Sequence, residues 1–191
     1  MDTHVCPWWL AYTFDHRLRL LAHNPGKLFG KYVRPNMTVV DLGCGLGFNS
    51  MGLARLLGNS GKVVALDIQQ KMLDVVMKRA KKKGFENRIE PHLALKNDLN
   101  LHVKAQFILA FYMVHEVPDP DRLMGQVADN LSVDGRFMMV EPPFHVSKKE
   151  FHKSIAQIET SGLVLEESYN ILFGRTAVLR KPAINCFCHS I

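Results

Sequence analysis

A glycine-rich segment preceded by an acid is the part of this sequence whose spacing most clearly indicates ligand chemistry. Residues 39–48 read VVDLGCGLGF, with Asp41 followed by glycines at alternate positions 43, 45 and 47. Alternating glycines let the backbone approach a ligand where a Cβ would obstruct it. A second acid, Asp67, ends the next apolar run, 24 positions after Gly43. That spacing is typical of an acid that binds a ribose in a βαβ unit, so the segment predicts a nucleoside-containing ligand.

The charge of Asp41 separates two classes of cofactor. A dinucleotide site uses G-x-G-x-x-G to bring a pyrophosphate onto a helix N-terminus, but here the third glycine comes one residue early. A carboxylate is unfavourable beside that anion and favourable beside an ammonium and a sulfonium. S-adenosylmethionine carries both cations. Asp41 therefore favours S-adenosylmethionine over a nicotinamide dinucleotide, whereas Asp67 fits either because both contain a ribose.

These residues resemble the class I S-adenosylmethionine-dependent methyltransferases, especially small-molecule members similar to the ubiquinone and menaquinone methyltransferases. The resemblance spans residues 15–182 and includes FYMVHEVPD from Phe111 and LSVDGRF from Leu131. It implies S-adenosyl-L-methionine as the cofactor and direct methyl transfer to a small-molecule acceptor. It places Ile68 and Met72 beside the adenine and Asp98 near the adenine amino group. The residues it assigns to cofactor binding are Asp41, Gly43, Cys44, Gly45, Gly47, Asp67, Ile68, Met72 and Asp98.

Acceptor chemistry is expected after the fourth and fifth strands, because ligands of open α/β sheets bind beyond the carboxyl ends of the strands. The candidate catalytic residues there are Tyr112, His115 and Glu141, with Met113, Phe144 and His145 as neighbours. Since an imidazole has an ordinary pKa of about 6.5, His115 can remove an acceptor proton. A base is needed only when the acceptor arrives protonated. The alternative is that His115 and Glu116 merely begin the following loop and helix.

Glu141 precedes two prolines that stop the fifth strand abruptly. It can hold the acceptor or a lid residue, or it can pair with an arginine such as Arg17 or Arg19. Trp8 and Trp9 can cap the site and exclude water, or pack on the core as aromatic pairs near a chain start commonly do.

Strand and helix signals alternate along the chain as a doubly wound, Rossmann-like α/β sheet requires. We predict about seven strands, mostly parallel with helices on both faces, and an antiparallel C-terminal hairpin because the last two strands are almost contiguous. The predicted strands are 38–42, 62–67, 88–93, 106–112, 134–141, 163–169 and 171–180. The predicted helices are 47–58, 69–83, 120–131 and 147–161, and residues 15–37 are expected to form a helical segment that can lie over the cofactor. Gln106 stands where relatives often have an aspartate, which is compatible with a structural role.

Length and composition predict one methyltransferase domain over residues 1–191, with an aromatic N-terminal segment (1–14), a core (15–182) and a C-terminal tail (183–191). The formal net charge is +6, but basic residues concentrate at 78–83, the expected solvated end of a helix. We therefore do not expect nucleic acid as a partner. The N-terminus lacks a signal-peptide pattern and no apolar run is long enough to cross a bilayer, which predicts a cytoplasmic protein without membrane insertion. A homodimer is left open.

Three alternatives accompany the methyltransferase hypothesis. A noncatalytic S-adenosylmethionine-binding protein would keep the cofactor residues and have an occluded face beyond Tyr112 and Glu141. Arsenite methyltransferases use several cysteines to bind their substrate, and Cys6 with Cys186 and Cys188 resembles that arrangement only weakly. No metal is predicted. An NAD-dependent dehydrogenase is disfavoured by Asp41 and the glycine spacing.

Overall fold

The computed structural model describes residues 23–183, and every structural statement below concerns that range. The strands are β1 (Thr38–Leu42), β2 (Lys62–Asp67), β3 (Ile89–Leu93), β4 (Ala105–Phe111), β5 (Leu131–Glu141), β6 (Val164–Ile171) and β7 (Gly174–Arg180). The helices are α1 (Pro25–Phe29), α2 (Phe48–Leu56), α3 (Gln70–Lys83), α4 (Pro120–Asn130) and α5 (Lys148–Glu159), with a 3-10 turn at Val114–Glu116. No helix within residues 23–183 is long and apolar enough to cross a membrane.

The strands form one sheet in the order β3-β2-β1-β4-β5-β7-β6. The first five strands in this order are parallel, and β7 runs antiparallel to both β5 and β6. The predicted doubly wound α/β sheet with an antiparallel C-terminal hairpin is confirmed. The strand order reverses between β1 and β4, which pair in the middle of the sheet. Such a reversal opens a crevice beyond the carboxyl ends of the two strands.

The central strands are buried on both faces, which explains why their sequences are continuously apolar instead of alternating. On one face Val40 and Ile108 join a core with residues of α4 and α5, and on the other Val39 and Phe107 join a core with residues of α2 and α3. Gln106 carries out the structural role expected of it, because its side-chain oxygen accepts a 2.7 Å hydrogen bond from the backbone nitrogen of Thr38. It thereby ties the beginning of β4 to the beginning of β1.

Two helix boundaries follow the local signals in the sequence. The basic end of α3 stops at Gly84, whose φ of 70° closes the helix in the left-handed conformation. Helix α5 begins with a capping box, in which Ser147 and Glu150 satisfy each other's backbone N–H groups.

The strand boundaries differ most from the sequence-based predictions at two places. Strand β5 begins at Leu131 instead of residue 134, because residues 132–135 bulge between the pairs that Leu131 and Arg136 make with β4. Asp134 has a φ of 60°, so this turn-like segment stays within the strand. The β6–β7 turn lies at Leu172–Phe173 and not near residue 170, with Phe173 at a φ of 60°.

The helical segment predicted for residues 15–37 is much shorter in the part that the structure describes. There it is helical over Pro25–Phe29, where the side chain of Asn24 caps the first turn by accepting from the backbone nitrogens of Gly26 and Lys27. The chain then turns through residues 30–36 before β1. Residues 15–22 of the prediction lie outside the described range.

Candidate active site

The glycine segment forms a loop between β1 and α2 at the point where the strand order reverses. Gly43, Gly45 and Gly47 all have positive φ values of 63°, 51° and 79°, which side-chain-bearing residues rarely adopt. A Cβ on Gly45 would meet nothing within 4 Å, so that part of the loop faces open space. The loop therefore offers a bare stretch of backbone that a ligand can approach closely.

Asp67 lies at the end of β2 beside this loop, as predicted. Its Oδ2 accepts a 3.0 Å hydrogen bond from the backbone nitrogen of Gly45, and its Oδ1 accepts a 2.9 Å bond from that of Gln69. Burial raises the pKa of this carboxyl above its usual range, and the backbone donors partly offset the effect. Each carboxylate oxygen can accept a further hydrogen bond. A vicinal pair of hydroxyls suits this remaining capacity.

Asp41 is almost completely buried, with 1% of its surface exposed. Its Oδ2 accepts a 2.5 Å hydrogen bond from the hydroxyl of Ser50 in α2. Ser50 was not predicted as a site residue, although its position nine residues after Asp41, in the first turns of α2, could have indicated it. The bond ties the helix that follows the glycine loop to the acid that precedes it.

Arg79 is a second residue that the sequence did not reveal. It belongs to the basic end of α3, but its guanidinium donates a 2.9 Å hydrogen bond to the backbone oxygen of Leu46 within the glycine loop. Nothing in the run of basic residues distinguishes this arginine from its solvated neighbours. Its contact depends on how α3 packs beside the loop, where a Cβ on Gly47 would come within 2.9 Å of Val76.

Cys44 places a buried thiol in the loop. Its surroundings do not favour redox chemistry. Burial, reinforced by the negative charges of Asp41 and Asp67, raises the pKa of this thiol well above its ordinary value. A protonated thiol is a poor nucleophile and a poor metal ligand. The buried side chain of Cys44 therefore serves to pack the loop.

The three residues assigned to the adenine occupy different environments. Ile68 is 41% exposed directly after β2, whereas Met72 is 3% exposed inside α3. Asp98 lies in the turn after β3, where its carboxylate accepts a 2.8 Å hydrogen bond from the backbone nitrogen of Asn100 and lies 3.9 Å from Arg122. Of the three, Ile68 offers apolar surface at the edge where Asp67 lies.

The segment after β4 packs directly against the glycine loop. A Cβ on Gly43 would lie 3.1 Å from Cβ of Met113, so the two backbones meet with only the methionine side chain between them. The next residue, Val114, donates its backbone N–H to Oε1 of Glu141 at 3.0 Å. The predicted cofactor residues and the predicted catalytic residues are therefore neighbours.

His115 and Glu141, both predicted as candidates, form a hydrogen-bonded pair. The Nδ1 atom of His115 lies 2.5 Å from Oε2 of Glu141, whose side chain is only 2% exposed against 22% for the histidine. Because an ionised carboxylate only accepts hydrogen bonds, Nδ1 carries the proton shared with Glu141, and in the neutral imidazole Nε2 keeps its lone pair. The bond to Glu141 raises the pKa of His115 above its ordinary value, although burial opposes the rise.

Tyr112 begins the same segment in a strained conformation, with a φ of 61°. Its hydroxyl donates to the backbone oxygen of Phe173 in the β6–β7 turn. His23 reaches the same turn through a 2.7 Å hydrogen bond between its Nε2 and the oxygen of Leu172. Tyr112 thus fixes the hairpin beside the site.

The loop after β5 supplies two further candidates. The ring of His145 stacks on that of His115 with 5.6 Å between centroids and 25° between planes. Phe144 is 81% exposed, and Leu172 and Phe173 of the hairpin turn are 56% and 54% exposed. The described surface at this edge of the sheet is therefore open and partly apolar.

Several predicted residues lie outside the described range: Trp8, Trp9, Arg17, Arg19, Cys6, Cys186, Cys188 and His189. Within residues 23–183, no group of three or more His, Cys, Asp or Glu side chains is arranged to hold a metal ion.

The fold and the site together define a class: a doubly wound sheet with an antiparallel final hairpin, a glycine loop flanked by two acids, and a histidine–glutamate pair beside it. Residues 34–189 match the model of the family described as "Methyltransferase domain". The chain belongs to this family, within the class I S-adenosylmethionine-dependent methyltransferases, whose cofactor is S-adenosylmethionine.

Individual relatives agree with this assignment. Demethylmenaquinone methyltransferase of Lactobacillus johnsonii is 29% identical over 121 residues, which cover 60% of this chain and 48% of that protein. Carboxy-S-adenosyl-L-methionine synthase of Alteromonas mediterranea is 24% identical, over 67% of this chain and 54% of that protein. The chain thus spans about half the length of these curated relatives. A SAM-dependent methyltransferase structure from Aquifex aeolicus shares the fold, with a TM-score of 0.83, 18% identity and coverage of 93% of this chain and all of that one.

Proposed function

We propose that this chain transfers a methyl group from S-adenosylmethionine to a small-molecule acceptor, with His115 as the base that removes the acceptor's proton and Glu141 as the residue that orients it. The observation that carries the proposal is the hydrogen-bonded His115–Glu141 pair, held by the segment whose Met113 packs on Gly43 of the glycine loop. The proposed base and the proposed cofactor site therefore lie at the same edge of the sheet.

The residues present fit the cofactor. The open space over Gly45 admits a ligand against the backbone, and Asp67 retains capacity to accept hydrogen bonds from ribose hydroxyls. Asp41 places negative charge at the loop, which suits a cationic methionine group. We assign the cofactor to Asp41, Gly43, Cys44, Gly45, Gly47, Asp67 and Ile68, with Met72 and Asp98 as further candidates. When bound, the cofactor supplies a methyl group activated by a positively charged sulfur.

The protein's own task is to position and deprotonate the acceptor. By accepting a hydrogen bond from Nδ1, Glu141 keeps the neutral ring of His115 in the tautomer that carries its proton on Nδ1. The Nε2 atom can then remove the proton from the methyl acceptor. Glu141 is buried, and its two oxygens already accept from His115 and Val114. It therefore acts through His115. The hydroxyl of Tyr112 is committed to Phe173, which supports a positioning role instead of proton transfer.

Two observations support a small acceptor. The exposed Phe144 and Phe173, which lie next to His145 and in the turn that Tyr112 contacts, give apolar surface for a compact molecule, and the demethylmenaquinone methyltransferase relative is named for a small-molecule acceptor. Within residues 23–183 this edge carries the exposed side chains of Phe144 and Phe173, which favours an acceptor site over a noncatalytic cofactor-binding protein with an occluded face.

The proposal is tested first by cofactor binding and then by transfer. Calorimetry should show micromolar binding of S-adenosylmethionine that is lost in Asp67→Ala. Transfer of labelled methyl groups to a small-molecule cell extract should then fall about 10²- to 10⁴-fold in His115→Gln, with His152→Gln, an exposed histidine of α5, as the matched control. Transfer should rise with pH as His115 loses its proton, with a midpoint above the ordinary histidine value because Glu141 raises its pKa.

Two results would contradict the proposal. Absence of cofactor binding would remove the enzyme assignment altogether. Full transfer by His115→Gln would show that the acceptor arrives deprotonated or that another group is the base.

A further inference from the structure

The contact between His145 and His115 is not explained by binding or by proton transfer alone. The two rings stack with 25° between their planes, although His145 belongs to an exposed loop between β5 and α5. That loop is held firmly by its backbone. The nitrogens of His145 and Val146 both donate to the oxygen of Pro142, at 3.1 and 3.0 Å, and Arg175 donates to the oxygen of Val146 at 2.6 Å.

The stacking constrains a motion that the Glu141 bond alone does not prevent. The side-chain torsion that rotates an imidazole about its Cβ–Cγ bond has broad, shallow minima. A rotation of the His115 ring would carry Nδ1 away from Glu141. A second ring packed on one face of His115 opposes that rotation, because the planes can no longer turn past each other without losing contact.

We propose that His145 is a positioning residue for His115: its stacked ring keeps the Nδ1 atom of His115 on Glu141, so that Nε2 remains the atom that accepts the proton. This inference rests on the proposed function of His115 as the base. It assigns His145 no contact with the acceptor. Its action is entirely through the neighbouring ring.

The groups that face His115 show how a loosened ring would be detected. Glu141 from β5 and Glu116 from the 3-10 turn both favour the protonated imidazole, and the hydrogen bond to Glu141 is the main cause of the raised pKa of His115. The ring of His145 packs beside the imidazole, with 5.6 Å between centroids. If His145 holds Nδ1 on Glu141, removal of its ring should lower the pKa of His115 towards the ordinary histidine value.

Two substitutions test the stacked ring. His145→Phe keeps an aromatic ring on His115, whereas His145→Ala removes it. The pKa of His115 is read from the Cε1–H resonance in an NMR titration of the free protein, which needs no acceptor. His152→Phe, on the exposed surface of α5, is the matched control.

We expect His145→Ala to lower the pKa of His115 towards the ordinary histidine value, because the hydrogen bond to Glu141 that raises it is loosened. The pH profile of methyl transfer should move in the acidic direction with it, and His145→Phe should leave both close to the wild type. The rate on the alkaline plateau should be about tenfold below wild type in His145→Ala and about fivefold higher in His145→Phe than in His145→Ala. The affinity for S-adenosylmethionine should stay within about twofold, because His145 lies outside the cofactor loop. His152→Phe should match the wild type in all three measurements.

An unchanged His115 pKa or a wild-type plateau rate in His145→Ala would overturn the inference. The His115→Gln variant keeps this failure distinct from that of the proposed function. If His115→Gln abolishes transfer while the pKa of His115 is the same in the wild type and in the His145 variants, only the present inference fails. If the pKa responds as expected while His115→Gln transfers at full rate, the role of His115 as the base fails instead.

Discussion

At the scale of single residues, the glycine before α2 and the glycine after α3 show that replacing two glycines of the same backbone conformation can destabilise the fold by different amounts. Gly47 and Gly84 both have left-handed backbones, with φ values of 79° and 70°. A Cβ on Gly84 would meet nothing within 4 Å, whereas one on Gly47 would lie 2.9 Å from Val76. The first position is limited by conformation alone, and the second by conformation and packing.

We therefore expect Gly84→Ala to lower the free energy of unfolding by about 1 kcal/mol, the cost of a left-handed alanine. Gly47→Ala should cost about 1–3 kcal/mol more, because Val76 and α3 must move. Thermal and denaturant unfolding of the two variants measure the difference. Equal losses would mean that α3 yields easily and that Gly47 is required only for its backbone angle.

The residues of the candidate site could be predicted where a local sequence pattern marks them. Asp41, Asp67 and the glycines could be found because their spacing along the chain reflects a strand–turn–helix unit. The link between His115 and Glu141 could not be derived, since the two are separated by 26 residues and the sequence equally allowed an arginine partner. Arg79 was missed because its one distinguishing feature is a contact made by tertiary packing.

At the scale of secondary-structure elements, the β6–β7 hairpin is fixed at its turn by residues from other parts of the chain. The Tyr112 hydroxyl donates to the oxygen of Phe173, and His23 bonds to the oxygen of Leu172. The Tyr112 backbone is also tied to β5 by a 2.8 Å bond from its nitrogen to the oxygen of Val140. The turn is thus held over the open edge that contains His115.

Removing the hydroxyl in Tyr112→Phe should release this turn. We expect faster amide hydrogen exchange across residues 171–174 and a loss of about 0.5–1.5 kcal/mol in the free energy of unfolding, the net contribution of one hydrogen bond. Affinity for S-adenosylmethionine should remain within about twofold, because the glycine loop is untouched. Tyr169→Phe, which also loses one hydroxyl contact on β6, is the control. Unchanged exchange at the turn in Tyr112→Phe would show that His23 suffices to hold it.

The elements themselves were largely predictable, and the exceptions have physical causes. Apolar runs bounded by glycines gave most strands and helices within one to three residues of the observed bounds. The start of β5 was placed late because the turn-forming residues Asp134 and Gly135 form a bulge inside the strand. The hairpin turn was misplaced because its two residues, Leu172 and Phe173, are apolar, whereas Asn170 carries the usual turn signal.

At the scale of the whole molecule, the proposed cofactor residues come from neighbouring strands of the sheet. Asp41 is the penultimate residue of β1 and Asp67 ends β2, and Met113 packs on the loop from the segment after β4. Strand β1 pairs directly with both β2 and β4. A ligand bound here contacts strands that the rest of the sheet depends on. Its binding should therefore raise the free energy of unfolding of the whole domain.

We expect S-adenosylmethionine at about 100 times its dissociation constant to stabilise the native state by about 2.7 kcal/mol. For a protein of this size that corresponds to a rise in Tm of about 5–11 °C. In Asp67→Ala the rise, measured against the variant's own ligand-free Tm, should largely disappear, because the ribose loses its acceptor at the end of β2. In Asp129→Ala, which removes an exposed acid of α4, it should be preserved. A full shift in Asp67→Ala would place the ribose elsewhere, and a shift produced by NADH but not by S-adenosylmethionine would mean that the charge of Asp41 does not select the ligand.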